Sequence, residues 1–364
     1  MPVSAYLDAL TGIAVCGLGH AHPVIAEAIA DQASTLIHTS NLYQIPLQEA
    51  LGQALRQASG MEFCFFSNSG AEANEAAIKL ARVFGHQKNI AEPAIIVMEN
   101  AFHGRTLATL SATGNKKVQI GFEPLVQGFV RVPFDDTAAI EAAIANNPNI
   151  VAILVEPIQG EGGIHVPKNG FSYLESLRTL CDQHDLLLML DEIQTGNGRT
   201  GKYFAYQHTA IKPDVVTTAK GLGNGFPIGA CLVQGKARDL FKPGNHGSTY
   251  GGTPLACRAA LTVVELLQQG AIENAQIMGD YLMQGFKERL QGLDVQVNGR
   301  GLMIGLRLPR PCGELVAQAR DEEKVLFNVT ADCVVRLLPA LIITKDEADD
   351  ILDRVSRLIT RFLS

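Results

Sequence analysis

The chain has 364 residues, and 30 Lys and Arg residues against 37 Asp and Glu residues give a formal net charge of −7. Hydrophobic residues make up 47% and charged residues 18%, which excludes an intrinsically disordered chain. Because no basic surplus is present, the composition argues against nucleic acid or an anionic membrane surface as a partner. The length allows two or three domains.

Targeting signals and cysteine usage indicate the compartment. The N-terminus lacks the charged and apolar regions of a signal peptide, and no stretch approaches the ~18 apolar residues of a membrane helix. The seven cysteines are scattered, with no CxxC motif, which is typical of reduced thiols rather than of disulfides or a zinc site. We therefore expect a cytoplasmic protein that binds neither membrane nor metal.

Short apolar runs alternate with helical patterns between residues 61 and 235. The predicted strands cover residues 62–66, 94–98, 129–134, 150–155, 186–190, 214–218 and 228–233, and the predicted helices between them cover 71–84, 137–145 and 171–184. Such alternation requires crossover connections and favours a mainly parallel sheet covered on both faces. The sequence therefore predicts an α/β fold with a sheet of seven strands.

From residue 254 onward the pattern changes. Two long helical stretches are followed by strand-like segments, a helix over residues 314–324 and a final helix over 346–362. In the final helix Ile351, Val355, Leu358, Ile359 and Phe362 share one stripe, as expected of a helix that packs on a small sheet. This part is predicted to form a smaller α/β domain.

The segment LLLMLDEIQTGNGRTG places Asp191 at the end of a strongly apolar strand, before a glycine-rich loop. Ligands of open α/β sheets bind at the carboxyl ends of the strands, so a functional carboxylate is expected here. Taken alone, Asp191 is better explained as a cap of the turn. The adjacent Glu192 points to the opposite face of the strand, so the two do not form a catalytic pair.

Lys220 ends a second strand, in DVVTTAKGLGNGFPIG, and enters a glycine-rich turn. A lysine at such a place suits a desolvated amine with a lowered pKa that acts as a nucleophile. Some lysines simply end strands. The combination with Asp191 favours the functional interpretation.

A third segment, FCFFSNSGAEANEAAIKLAR, predicts a strand, a short turn and then a helix. The free N–H groups and the dipole at the helix start suit a phosphate monoester, although N-capping by Ser69 alone explains the same pattern. A Walker P-loop and a GxGxxG dinucleotide motif are absent, which disfavours an NTPase and a Rossmann site. An amine, a carboxylate and an anion site together describe a site for pyridoxal 5′-phosphate (PLP).

The sequence resembles the class III aminotransferases of the ornithine and acetylornithine type, which have PLP fold type I. The matching segments follow the family order and cover nearly the whole chain: GIAVCGLGHAHP, SNSGAEANEA, NAFHGRT, VEPIQGEGG, LDEIQTGNGRTG, TTAKGLGNGFPIG, HGSTYGGTPLAC and VVRLLPALII. The resemblance implies a large PLP-binding domain at residues 46–253 and a small C-terminal α/β domain at 254–364. Residues 1–45 would join the small domain and carry a shorter N-terminal arm than relatives have.

For the cofactor, the resemblance implies that Lys220 binds PLP covalently and moves a proton as general acid and base. Asp191 would pair with the pyridine nitrogen, which it keeps protonated. The other implied contacts are Phe102 and Ile193 on the two ring faces, Gln194 near the phenolic oxygen, and the backbone N–H groups of Gly70 and Ala71 on the phosphate.

For the substrates, the resemblance implies that Arg105 clamps the α-carboxylate with its planar fork. Glu161 and Arg336 resemble the family's switch, in which Arg336 pairs with Glu161 or, when released, with a glutamate carboxylate. Ser248 and Thr249 would reach the site of the neighbouring subunit, with Thr249 on the phosphate. The implied assembly is a homodimer with shared active sites.

The implied reaction is transamination of N-acetylornithine with 2-oxoglutarate to N-acetylglutamate 5-semialdehyde and glutamate, a step of arginine biosynthesis. Ile13 stands where ornithine aminotransferases carry a tyrosine, which favours the acetylated donor. The alternatives are another ω-aminotransferase, with succinyl-diaminopimelate, succinylornithine, ornithine or 4-aminobutyrate as donor, and a catalytically silent PLP-fold binding protein. We expect His20 and His22 to serve a loop rather than a metal, and His103 to make a structural hydrogen bond.

Overall fold

The computed structural model describes residues 5–364. The strands are β1 Leu7–Asp8, β2 Phe63–Ser67, β3 Ala94–Met98, β4 Phe129–Val132, β5 Ile150–Val155, β6 Leu187–Asp191, β7 Val215–Thr218, β8 Gly229–Val233, β9 Gln296–Arg300, β10 Met303–Arg307, β11 Val325–Leu326, β12 Asn328–Thr330 and β13 Val334–Leu337. The α-helices are α1 Thr11–Ala14, α2 Pro23–Thr35, α3 Pro46–Ser59, α4 Gly70–Gln87, α5 Leu107–Ala112, α6 Thr137–Asn146, α7 Ser172–Gln183, α8 Pro254–Leu266, α9 Ile272–Arg289, α10 Leu315–Gln318 and α11 Lys345–Leu363.

Seven strands form the central sheet, in the order β2-β8-β7-β6-β5-β3-β4. All neighbours are parallel except β8, which runs antiparallel to both β2 and β7. This confirms the predicted α/β fold and its mainly parallel sheet. Each predicted strand of this part is present, with its ends shifted by no more than two residues.

The sheet is apolar on both faces, which explains why its strands read as continuous hydrophobic runs. In β5, Ile153 and Val155 join one core cluster, whereas Ala152 and Leu154 join the other. Helix α4 packs on β7 and β8, and α7 packs on β5 and β6. The buried carboxylate Asp191 is found at the end of its strand, where a ligand can reach it.

The C-terminal part holds a second, antiparallel sheet with the order β12-β13-β10-β9. Helix α11 packs on α9, and four of the five residues of its predicted apolar stripe are buried, whereas Phe362 is half-buried. A separate two-stranded pair joins β1 to β11 in parallel, with Leu7 opposite Val325. The predicted helix over 314–324 is instead one α-helical turn followed by a π-helical turn, Ala319–Glu323, that ends at Lys324 with φ +55°.

One helical stretch, Pro254–Arg289, is long and apolar enough to cross a membrane by length and composition, and 56% of its most apolar window is buried inside the protein. Its first helix, α8, packs against α2 and α3. The stretch is interrupted at Gly270, which has a φ of +118°. Burial and interruption are typical of a core helix in a folded domain.

Candidate active site

The carboxyl ends of β5, β6 and β7 meet at a cavity of about 450 Å³. Strand β6 ends at Asp191, and β7 leads to Lys220 two residues after its last residue. Helix α4 begins at the same edge of the sheet. Nine of the predicted site residues line the cavity: Gly70, Ala71, Phe102, Arg105, Glu161, Asp191, Ile193, Gln194 and Lys220.

The Asp191 carboxylate is buried and accepts three hydrogen bonds. Its Oδ2 atom accepts from Asn74 Nδ2 and from His103 Nδ1, both at 2.8 Å. Its Oδ1 atom accepts from the backbone N–H of Ile193 at 3.1 Å. These donors offset the cost of removing the carboxylate from water and fix its orientation toward the cavity. The hydrogen bond predicted for His103 is thus made to Asp191.

Lys220 has a backbone φ of +44°, which an L-residue adopts at a cost. Burial, followed by the charge of Arg336, lowers the pKa of its amine, while Glu161 and Asp191 act in the opposite direction. A lowered pKa increases the neutral fraction, which is the nucleophilic form of an amine. The amine therefore suits reaction with a carbonyl group.

The start of α4 presents backbone donors to the cavity. The first N–H groups of a helix have no partner within the helix, and Ser69 Oγ accepts from only one of them, that of Glu72, at 3.2 Å. The N–H groups of Gly70 and Ala71 remain for an anion. A Cβ atom at Gly70 would lie 2.8 Å from Ile193 Cδ1, so only glycine lets the two segments approach this closely.

Arg336 lies on β13 of the small sheet and is not among the lining residues of the cavity, but it contacts two residues that are. Its Nη1 atom is 2.7 Å from Glu161 Oε1 and 3.4 Å from Gln194 Oε1. Its Nε atom donates to Asn328 Oδ1 at 3.0 Å, while Nη2 is buried without a hydrogen-bond partner. The arginine is therefore held in place but retains a free donor.

Of three further predicted residues, Arg105 lines the cavity, whereas Ser248 and Thr249 do not. Arg105 is exposed, with its guanidinium carbon 5.8 Å from the centre of the Phe102 ring. Ser248 Oγ accepts from the side chain of Asn68, a lining residue, at 3.1 Å. Thr249 is exposed and is not among the lining residues. Within one chain the structure does not bring Thr249 to the cavity.

Sequence reasoning missed several residues of the site, among them Glu156, Asn74 and Val15. Glu156 follows β5 at the same sheet edge and lines the cavity, so the rule applied to Asp191 would have found it. Asn74 lies one helical turn into α4, and nothing in the sequence indicates its contact with Asp191. Val15 lines the cavity, whereas Ile13 does not. Of the two histidines predicted to have a loop role, His20 lies in the segment between α1 and α2, and its Nε2 atom is 2.7 Å from Asp8 Oδ2.

The cavity residues fit PLP. The buried Asp191 carboxylate can face a protonated ring nitrogen, and the Lys220 amine can reach an aldehyde on the same ring. The unpaired N–H groups of α4 can hold a phosphate. The ring would lie between Phe102 and Ile193, and bound PLP withdraws electrons from the reacting substrate carbon.

Comparison with known proteins gives the same family over the whole chain. The sequence profile of the family described as Aminotransferase class-III matches residues 4–359. An acetylornithine aminotransferase of Nitrosomonas europaea is 58% identical over 98% of this chain and 91% of its own length. One of Methanothermobacter thermautotrophicus is 45% identical over 98% of this chain and 90% of its own length.

Solved structures of class III aminotransferases have the same fold. The ornithine aminotransferase of Toxoplasma gondii superposes with a TM-score of 0.93 at 32% identity and covers 98% of this chain and 86% of its own. The N-acetylornithine aminotransferase of Stenotrophomonas maltophilia has a TM-score of 0.82 at 36% identity. The match covers 98% of this chain and 91% of the Stenotrophomonas chain. Another structure of the Toxoplasma enzyme has PLP at partial occupancy in its active site. The chain therefore belongs to the class III aminotransferases and is a PLP-dependent enzyme.

Proposed function

We propose that the protein transfers the terminal amino group of N-acetylornithine to 2-oxoglutarate, yielding N-acetylglutamate 5-semialdehyde and glutamate. The observation that carries this proposal is the cavity in which Lys220 and Asp191 meet beside the Glu161–Arg336 ion pair. The names of the relatives with high identity support the acetylated donor. The product would enter arginine biosynthesis.

In this proposal each residue around the cofactor has a separate role. Lys220 is the base that takes a proton from the substrate carbon and the acid that returns it to the cofactor. Asp191, held by Asn74 and His103, keeps the pyridine nitrogen protonated. Phe102 and Ile193 would pack on the two faces of the ring. The N–H groups of Gly70 and Ala71 bind the phosphate, and Gln194 lies near the phenolic oxygen.

Substrate recognition rests on three charged groups. Arg105, at the mouth, binds the carboxylate that lies several bonds from the reacting carbon, which is the α-carboxylate of N-acetylornithine and the side-chain carboxylate of 2-oxoglutarate. Glu161 neutralises Arg336 while the donor is bound, because the reacting carbon of the donor carries no carboxylate. When 2-oxoglutarate enters, Arg336 binds its second carboxylate, and Glu161, which is 36% exposed, turns toward water.

We further propose that the active enzyme is a cytoplasmic homodimer in which Ser248 and Thr249 complete the partner's site. Large apolar side chains that are well exposed in the single chain support a second copy, among them Leu42, Tyr43 and Leu107. Seven free cysteines support a reducing compartment. The proposed domains are residues 46–253 and 254–364, with residues 1–45 joined to the latter through the β1–β11 pair.

The absorption spectrum of the PLP-loaded protein tests the proposed function. N-acetylornithine added without a keto acid should abolish the visible band of the bound cofactor, and 2-oxoglutarate should restore it. A band that responds to ornithine, 4-aminobutyrate or a succinylated donor but not to N-acetylornithine contradicts the donor assignment. A protein that forms no band with PLP would be a silent binding protein of the same fold.

A further inference from the structure

Glu156 is a buried carboxyl group in the wall of the cavity that the proposed reaction does not use. It directly follows β5, and only 6% of its surface is exposed. No Lys or Arg side chain pairs with it within residues 5–364. A buried carboxylate needs hydrogen-bond donors to compensate for its lost hydration. The donors to Glu156 indicate its structural role.

Both oxygen atoms of Glu156 accept from the backbone of different loops. Oε1 accepts from the N–H of Phe102 at 2.9 Å, and Oε2 accepts from the N–H of Gly160 at 3.0 Å. The first loop carries the ring-stacking residue Phe102, and the second carries Glu161. A third contact joins the same loops, because Gln159 Nε2 donates to the carbonyl of Glu99 at 2.7 Å.

We propose that Glu156 is a positioning residue whose ionised carboxylate holds the Phe102 loop and the Glu161 loop together and so fixes one face of the cofactor site. This inference rests on the proposed function only in assigning Phe102 to the cofactor ring. Two N–H donors require two acceptor oxygen atoms, which only the ionised form offers fully. Its donors belong to these two loops, so Glu156 acts on the site through the loops that it holds.

The charge of Glu156 responds to its neighbours. The pKa of Glu156 is raised to about 7, chiefly by burial; Asp191 acts in the same direction, whereas His103 and the two backbone N–H donors act to lower it. The titratable groups that face it are His103 from the loop after β3, Asp191 from β6 and Lys220 from the turn after β7. Protonation places an O–H beside an N–H donor, so one loop contact is lost as the pH falls through about 7.

Glu192 provides a matched control. It is also a fully buried carboxyl, burial raises its pKa to about 7, and it accepts from the backbone N–H groups of Ala205 and Tyr206, each at 2.9 Å. It lies next to Asp191 but does not line the cavity. Glu156→Gln and Glu192→Gln therefore remove equivalent charges at equivalent depth, one inside the site and one outside it.

The test is the dissociation constant for PLP of the full chain, measured by absorbance titration from pH 6 to 8.5 for the wild type and three variants. At pH 8.5, Glu156→Gln should weaken PLP binding about ten-fold, as expected for one lost hydrogen bond to a charged acceptor. The wild type should bind PLP more weakly as the pH falls through about 7. Glu156→Gln should not show this dependence on pH. Glu192→Gln should keep the wild-type constant and pH profile.

Glu156→Asp keeps the charge but is one methylene shorter, so it should bind PLP more weakly than the wild type while retaining a pH inflection. If Glu156→Gln fails to fold, this variant still tests the inference. Wild-type constants and profiles in both Glu156 variants, or equal losses in Glu156→Gln and Glu192→Gln, would overturn it. A wild type that fails to bind PLP would instead overturn the proposed function.

Discussion

Arg336 Nη1 lies 2.7 Å from Glu161 Oε1, although the arginine side chain is completely buried and the glutamate is 36% exposed. Because only Glu161 is exposed to solvent, Glu161 rather than Arg336 is expected to move when the ion pair separates. Glu161 can leave for water at little cost, whereas Arg336 is held by Asn328. A carboxylate that enters the cavity can therefore replace Glu161 without moving the arginine.

Replacing Arg336 should affect the two half-reactions unequally. Arg336→Ala removes the donor for the second carboxylate of 2-oxoglutarate, so that half-reaction should slow by about 10- to 100-fold, the loss of one or two charge-assisted hydrogen bonds. The N-acetylornithine half-reaction should slow much less. Single-turnover absorbance measurements with each substrate alone separate the two, and equal losses would refute the switch.

Lys220→Ala should abolish transamination but preserve the fold. The change removes the proposed general acid and base, which alone accounts for about 10²- to 10⁴-fold in rate. Because burial already disfavours the charged amine, the alanine variant without PLP should melt within a few degrees of the wild type. Thermal unfolding and a coupled glutamate assay provide the two readouts, and substantial residual turnover would exclude the assigned role.

Asn74 links helix α4 to the carboxylate of Asp191, because its side-chain amide donates to Asp191 Oδ2. Its Oδ1 atom accepts from Thr217 Oγ1 at 2.7 Å. Asn74→Ala leaves several buried polar groups without partners, so unfolding in urea should show a loss of about 2 kcal/mol. PLP binding should weaken as well. Thr217→Val, which removes only the distant hydrogen bond, should leave PLP binding nearly unchanged; a similar loss in both would argue against the orienting role of Asn74.

The raised pKa of Glu192 predicts how stability depends on pH. Its folded-state pKa of about 7 exceeds the ordinary value of about 4.3, so the folded protein binds this proton more tightly than the unfolded chain. The stabilisation is complete below about pH 4.3 and is lost as the pH rises to about 7. Glu192→Gln should flatten this dependence by about 3 kcal/mol in urea unfolding of the cofactor-free protein. Exposed Glu175→Gln serves as the control, and an unchanged slope in Glu192→Gln would contradict the prediction.

Subunit mixing tests whether Thr249 acts in the partner's site. Thr249→Asp places a negative charge near the proposed phosphate, so it should be inactive, as should Lys220→Ala. A mixed dimer has one site with both native residues if Thr249 serves the partner, so random mixing should restore about a quarter of wild-type activity. If Thr249 serves its own chain, every site in the mixture is defective and no activity returns.

The sheet could be predicted because its strands are covered on both faces. Runs such as 150–155 and 186–190 contain hardly any polar residue, and strands of a parallel sheet are the usual explanation. The small domain was harder, since the segment 314–324 has helical spacing but forms an α-helical turn and a π-helical turn. There, packing against α11 overrides the local pattern.

The site could be predicted only in part. Asp191 and Lys220 are visible because each interrupts an apolar strand end, a place where a charge is costly. Asn74 contributes through a contact with a residue more than a hundred positions away, and its own segment looks like an ordinary helix. Residues that orient others leave no local signal, because their partners are set by the tertiary fold.

The pairing of Leu7 with Val325 has a consequence for how the chain folds during synthesis. A ribosome releases the first strand long before its partner exists, so β1 stays without its partner until almost the whole chain has emerged. Contacts between such distant segments form slowly, because a long loop must close before they contribute. The central sheet, whose neighbours are closer in sequence, can assemble first, and β1 pairs with β11 afterwards.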